Sequence, residues 1–324
     1  MTLRAILTWL VLSTLLAVPF AAKAQTASRV RHIGYLAATA GPSPFFEALK
    51  QGLRELGYVE GQNLSIDYRS SDDRAQVAEL AAELVKNKVE VIVGQGPAAR
   101  IASAATKTIP IVFGFSGDPI EAGLIESLAR PGKNLTGMTF LALDLAGKRL
   151  ELLKEAAPKI ARVAILSNRT HPGEAGELKE TQAAAQVLKI GIQYLVTTSA
   201  DDFNRAFESM IKEKAQAMLT FPDATTLARS ARLAEFAIKQ RLPSIFGWKE
   251  YVEAGGLISY GPNLSDSYRR LAVYVDKILK GTKPTDIPVE QPTRFELVVN
   301  LKTAQQIGFV IPPNFLVRAD RVIR

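Results

Sequence analysis

The chain has 324 residues, 47% of them hydrophobic, no cysteine, and 40 Lys and Arg against 32 Asp and Glu, a formal charge of +8. The absence of cysteine excludes disulfides, thiolate metal sites, thiol nucleophiles and a lipid-modified cysteine. The basic excess is mild and interspersed with acid, as in Lys148-Arg149-Leu150-Glu151 and Lys212-Glu213-Lys214, which argues against a nucleic-acid binder with its bases gathered on one face.

Residues 1–24 read as a secretory signal peptide: Arg4, an apolar run over 5–20, then Ala22-Lys23-Ala24 as an A-x-A cleavage site. The apolar run is shorter than the roughly 20 residues that span a bilayer, so a retained anchor is the weaker reading. Cleavage near Ala24 removes Arg4 and Lys23 but no acid, which leaves 300 residues at a formal charge of +6 in the periplasm. That length suggests about two domains.

From Arg31 onward, short apolar runs alternate with amphipathic ones, the pattern of βαβ units and mainly parallel sheets. Strands are expected at 32–37, 64–68, 89–93, 109–115 and 135–139. Helices between them include 45–56, with Phe46, Leu49, Leu53 and Leu56 at helical spacing before Gly57, then 73–86, and a further one at 120–128. A helix over 145–157, closed by Pro158, leads into a second set. Its strands are 162–167, 192–197, 217–221, 244–246 and 257–260, and its helices 176–188, 202–214, 227–240 and 249–254. A helix at 265–279, the Pro-punctuated stretch TKPTDIPVEQPTRF and a last strand and helix over 296–307 are surplus to either set. The fold class expected is α/β, with two doubly wound parallel-sheet lobes joined by a hinge of several crossings. Lobe 1 takes 30–140 plus 264–290 and lobe 2 takes 141–263 plus 291–324, each within the usual domain range. The crossings fall near 140–144, 261–264 and 290–295.

Several stretches carry a resemblance: IGYLAATAGPSPFFEALKQGLRELGYVEGQNLSIDYR, GQGPAAR at 94–100, IPIVFGFSGDPIEAGLIESLARPGKNLTGMT, and GGLISYGPNLSDSYRRLAVYVDKILKGTKPTDIPVEQPTRFELVVNLKTA. They resemble the substrate-binding proteins of ABC transporters, in the branch of tryptophan-type and aromatic amino-acid binders, and cover nearly all of the chain after the signal peptide. The resemblance implies the type I periplasmic-binding fold, a Venus flytrap with its solute between two lobes. It implies an amino acid or small carboxylate, aromatic or branched, as solute, and the membrane subunits of an ABC permease as partner. A monomer is expected. Fold-level resemblance leaves the ligand open.

In open α/β sheets a ligand lies beyond the carboxyl ends of the strands, where helix amino termini offer free N–H groups to an anion. After the first strand, Thr39 and Ser43 offer hydroxyls to a carboxylate, although Ser43 equally suits a plain helix cap. After the third, Gln95, Gly96 and Pro97 let a solute approach the backbone closely. After the fourth, Ser116 is the candidate and Asp118 the cap of the next helix. The second lobe offers Asn168, Asp223, Thr225 and Trp248. Asp223 either pairs with a solute ammonium or caps its helix, and Trp248 either stacks on the solute or packs in the core. Tyr260 precedes the turn-forming Gly261-Pro262 and is expected on the cleft floor beside the hinge.

The two histidines, His32 and His171, have no second histidine at i+3 or i+4, and no G-x-S-x-G elbow occurs. Gly94-Gln95-Gly96 lacks the third glycine of a dinucleotide fingerprint, and GKS or GKT is absent. Asp72-Asp73 and Asp201-Asp202 stand where helices start, which the helix dipole explains. No metal, no cofactor and no enzymatic activity are expected. The competing readings are a secreted sensor that presents its solute to a receptor and a secreted hydrolase working through carboxylates. A cytosolic repressor of similar fold would carry a DNA-reading helix-turn-helix where the signal peptide stands.

Overall fold

The first three strands each end in a loop and a helix start, and this repetition sets where a solute can lie. The computed structural model describes residues 30–39, 41, 43–141 and 143–324, so the expected signal peptide lies outside the described residues. The first lobe runs β1 (Arg31–Ala37), α1 (Pro44–Glu55), β2 (Leu64–Ser70), α2 (Arg74–Lys86), β3 (Val91–Gln95), α3 (Ala98–Ala105), β4 (Ile111–Phe115) and β5 (Leu135–Thr139). Its five strands are all parallel, in the order β2-β1-β3-β4-β5. β3 and β4 are buried along their whole length, as a parallel sheet covered by helices on both faces requires.

The helix expected at 120–128 does not form. Asp118 Oδ1 accepts the N–H groups of Ile120 (2.7 Å) and Glu121 (3.1 Å), so it caps a turn as its position suggested. Gly123 then takes φ +69, which ends the turn, and both Leu124 and Ile125 donate back to the Pro119 carbonyl. Leu124 and Ile125 are buried as loop residues.

The second lobe runs α4 (Asp144–Ala156), β6 (Arg162–Ser167), α5 (Glu174–Leu188), β7 (Gly191–Val196), α6 (Ala200–Lys212), β8 (Ala217–Thr220), α7 (Ala224–Leu227), α8 (Ser230–Lys239), β9 (Ser244–Phe246), α9 (Lys249–Glu253) and β10 (Ile258–Pro262). The helix expected over 227–240 is split into α7 and α8 at Arg229, whose φ of −114° and ψ of 16° leave the helical region. A capping box of Asp223 and Thr226 starts α7 early and sets its axis. After β10 the chain returns to the first lobe as α10 (Leu264–Leu279), which packs on α1. That approach requires Gly52, because a Cβ there would stand 2.2 Å from the Arg269 carbonyl oxygen. Glu290 then bonds along β5, giving its carbonyl to Thr139 N–H (3.1 Å) and its N–H to the Gly137 carbonyl (3.1 Å).

The chain ends in the second lobe with β11 (Phe295–Asn300), α11 (Leu301–Ile307), α12 (Pro313–Leu316) and β12 (Arg321–Ile323). The seven-stranded sheet is ordered β12-β11-β10-β9-β8-β6-β7. β11 runs antiparallel to β10, so this sheet is mixed and not wholly parallel. β12 was not expected. It is three residues long, too short for periodicity to show, and is fastened by Asp320, whose carboxylate accepts Leu297 N–H (2.7 Å) and whose own N–H donates to the Leu297 carbonyl (2.9 Å). The two lobes, with connections running between them after β5, after β10 and before β11, form one compact unit over 31–324.

Candidate functional site

A cleft of about 1020 Å³ opens where the carboxyl ends of β1, β3 and β4 face those of β8 and β9. Thr39, Ser43, Gln95, Gly96, Pro97, Ser116, Thr225 and Trp248 all line it.

On the first-lobe wall, Ser43 caps α1, its Oγ accepting Phe45 N–H at 3.2 Å, and lines the cleft at the same time. Gln95 Oε1 accepts the Tyr35 hydroxyl at 2.7 Å, which fixes the amide and leaves its NH2 as the free end. Gly96 sits at φ +55 with its N–H on the Gly114 carbonyl (2.8 Å), and Pro97 opens α3 with no side-chain cap on that helix. Backbone carbonyls satisfy that start instead, with Ala99 N–H on the Gly96 carbonyl (3.1 Å) and Arg100 N–H on the Pro97 carbonyl (3.2 Å), so the Gln95 NH2 is the donor this turn leaves to a solute. Below it, Phe45 stacks on Tyr268 with ring centroids 4.9 Å apart, and Phe140 tilts onto the same ring at 5.5 Å. Burial pushes the Tyr268 hydroxyl far above its ordinary pKa, and it donates to the Gly114 carbonyl at 3.1 Å. Sequence reasoning missed all three rings, because nothing local tells a core ring from one at a cleft.

On the second-lobe wall, the break between α7 and α8 delivers Leu227, Ala228, Arg229 and Ser230 to the cleft. Arg229 Nη1 donates to the Thr225 carbonyl (3.1 Å) and its guanidinium lies over the Phe203 ring at 5.2 Å. Glu250 stands beside Trp248 at the start of α9. Burial pushes its carboxyl up to about 7, with its own backbone N–H and Lys249 pulling the other way and Glu253 and Glu296 adding to the rise.

Asn168, Asp223 and Tyr260 do not reach the cleft lining. Asp223 is 3% exposed: Oδ1 accepts Thr226 N–H (2.6 Å) as the cap of α7, and Oδ2 accepts Asn168 Nδ2–H (2.6 Å). The capping alternative therefore describes Asp223, and Asn168 supports that cap. Asn168 Nδ2 also reaches Thr225 Oγ1 at 3.3 Å, so its influence on the cleft is indirect. Tyr260 shares its face of β10 with Ile258, opposite Leu297 and Val299 of β11, so strand alternation lays its half-buried ring against the margin of the core. Its carbonyl accepts Arg149 Nε–H at 2.8 Å.

Behind the second-lobe wall lies a buried ionisable group of side chains. Arg149 and Glu177, both 2% exposed at the side chain, stand 3.6 Å apart. Burial outweighs that attraction and pushes the Glu177 carboxyl up to about 8, while the Arg149 guanidinium is lowered by the same desolvation. His171 Nε2 lies 3.1 Å from Ser116 Oγ of the first lobe, and burial lowers its pKa against the pull of Asp223, Glu121 and Glu174. Two more bonds join the lobes here, Gly173 N–H to Glu121 Oε2 (2.8 Å) and Asp118 N–H to the Pro172 carbonyl (3.0 Å).

The family model for the ABC transporter substrate binding protein matches residues 41–323. A tyrosine-binding protein of Clostridioides difficile (strain R20291) is 25% identical over 271 residues, 82% of this chain and 77% of that protein. Among solved structures, an ABC domain from Streptococcus pneumonia in complex with L-Trp is 28% identical, with 90% of this chain and 99% of that one covered and a TM-score of 0.83. A conserved domain protein from Vibrio cholerae is also 28% identical, with coverage of 91% and 100% and a TM-score of 0.83.

Proposed function

This chain belongs to the ABC transporter substrate binding protein family, a family of binders and not of enzymes, and from that premise we propose that it captures an aromatic α-amino acid in the cleft. The observation that carries the reading is the first-lobe wall, where the Gln95 amide and the Ser43 and Ser116 hydroxyls line the same cleft as the Phe45, Tyr268 and Phe140 rings. The Gln95 amide and the Ser43 and Ser116 hydroxyls suit the solute carboxylate and the rings suit an aromatic side chain. The binding partners named by the tyrosine-binding relative and the L-Trp complex support the same class.

In this reading, lobe 1 (30–140 plus 264–290) and lobe 2 (141–263 plus 291–324) close on the solute about their crossings. The mature chain, cut near Ala24, works in the periplasm as a monomer and hands its solute to the membrane subunits of an ABC permease. A thermal-shift screen of L-tryptophan, L-tyrosine, branched amino acids and neutral sugars tests it. The aromatic amino acids are expected to stabilise the protein by about 2.7 kcal/mol at a hundred times their Kd. Shifts from sugars alone would overturn the amino-acid assignment.

A further inference from the structure

An amino acid brings an ammonium as well as a carboxylate, and a cation taken out of water requires a charged or well-bonded partner. Asp223 is spent. Both of its oxygens are engaged at 2.6 Å, and turning it toward a solute uncaps α7 and strands Asn168. Among the described cleft-lining residues the acids are Asp72 and Glu250. Asp72 is exposed at the rim, where water screens it. Glu250 differs, for its Oε2 is shut off from solvent and has no hydrogen-bond partner among the described residues.

The next side chain on the same wall repeats the pattern. Trp248 is 3% exposed, and its indole Nε1–H also has no partner among the described residues. An unpartnered buried acceptor and an unpartnered buried donor, on two residues that line one cleft, are complementary in kind to a zwitterion. The neighbouring charges leave Glu250 available. Lys249 lies 3.8 Å from Glu296 of β11, Glu253 pairs with Arg321 at 2.6 Å, and Arg229 is bonded to the Thr225 carbonyl.

We infer that Glu250, and not Asp223, is the specificity-determining carboxylate that receives the solute's α-ammonium, with Trp248 beside it. The inference rests on the amino-acid reading above. It carries a pH signature, because a carboxyl pushed up to about 7 is mostly protonated at pH 6 and mostly ionised at pH 8, while an α-ammonium stays charged throughout. Affinity for the amino acid therefore rises with pH over that window.

The test is isothermal calorimetry on the full mature chain, wild type and Glu250→Gln, with L-tryptophan and L-tyrosine and with their des-amino analogues, indole-3-propionate and 3-(4-hydroxyphenyl)propionate. Glu250→Gln is expected to weaken both amino acids at least about tenfold and to leave the des-amino acids within about twofold, which also certifies the fold of the variant. Wild-type affinity for L-tryptophan is expected to gain up to about tenfold from pH 6 to pH 8, and the variant to stay flat. Equal losses for both probe classes, or amino-acid binding by Glu250→Gln as tight as wild type, overturn the role of Glu250 and leave the amino-acid reading standing. A wild-type protein that binds none of the four probes overturns both.

Discussion

On the first-lobe side of the cleft the polar contacts come from the Gln95 amide and the Ser43 and Ser116 hydroxyls, over a floor of three rings. On the second-lobe side the wall carries Arg229 and Glu250 and is backed by buried Arg149, Glu177 and Asp223 and half-buried His171. Apart from Asp72 at the rim, the first wall holds its shape and charge at any ordinary pH, because amides, hydroxyls and rings do not titrate there. The second depends on protonation, because desolvation has moved Glu250 and Glu177 up toward neutrality and His171 down. Two lobes of one fold thus divide the labour, one side presenting fixed dipoles and the other a set of adjustable charges.

The largest expected effect lies behind the second wall. Arg149→Ala removes the partner of Glu177 and the bond to the Tyr260 carbonyl, and leaves a void beside Gly247 and Gly261. It is expected to destabilise the protein by about 3–5 kcal/mol in urea denaturation. A loss below about 1 kcal/mol would show that the pair is not integral to the second lobe. Adding Glu177→Gln to Arg149→Ala is expected to recover part of the loss.

A smaller effect distinguishes the walls by pH. Folding raises the Glu250 carboxyl above its ordinary range, so the folded state binds the extra proton and stability falls as pH rises from the ordinary carboxylate range toward 7. Glu250→Gln is expected to make the solute-free protein more stable than wild type at pH 8, by about 1–2 kcal/mol, with the difference vanishing near pH 4. Thermal melts across that range measure it, and parallel curves for the two proteins refute it.

The smallest effect belongs to the first wall. Ser43→Ala removes the cap on α1 and is expected to cost about 1 kcal/mol, with the same loss at pH 5 and pH 8 because no titrating group is involved. A loss that changed with pH would erase the contrast between the walls.

The alternation of apolar runs was enough to read nearly all the βα units, since burial on one face of a helix or both faces of a strand leaves a periodic trace. Where it failed, a local competitor won. Gly123 at φ +69 stopped the helix expected at 120–128, and the Asp223 cap started α7 early and broke 227–240 at Arg229. That break brings Arg229 into the cleft, so an error in secondary structure became an omission in the site. The loops after β1, β3, β4, β8 and β9 were legible, because strand ends in a parallel sheet point one way. Which side chain of each loop faces solute was legible only in part. Asp223 and Glu250 are both acids at helix starts in the sequence, and only the bonds from Thr226 and Asn168 to one of them, against the orphan oxygen of the other, tell them apart.

By itself, then, the sequence determined the two sets of βα units, the loops able to hold a solute, and the expectation of a chain that returns to its first lobe, since these follow from periodicity and chain order. Tertiary structure alone decided that Phe45, Phe140 and Tyr268 share one floor, that Tyr260 packs against the margin of the core, and that burial lifts Glu250 and Glu177 toward neutral pH. The physical reason is that periodicity reports how each residue meets its own helix or strand. Desolvation and hydrogen-bond satisfaction depend instead on which distant elements close over it.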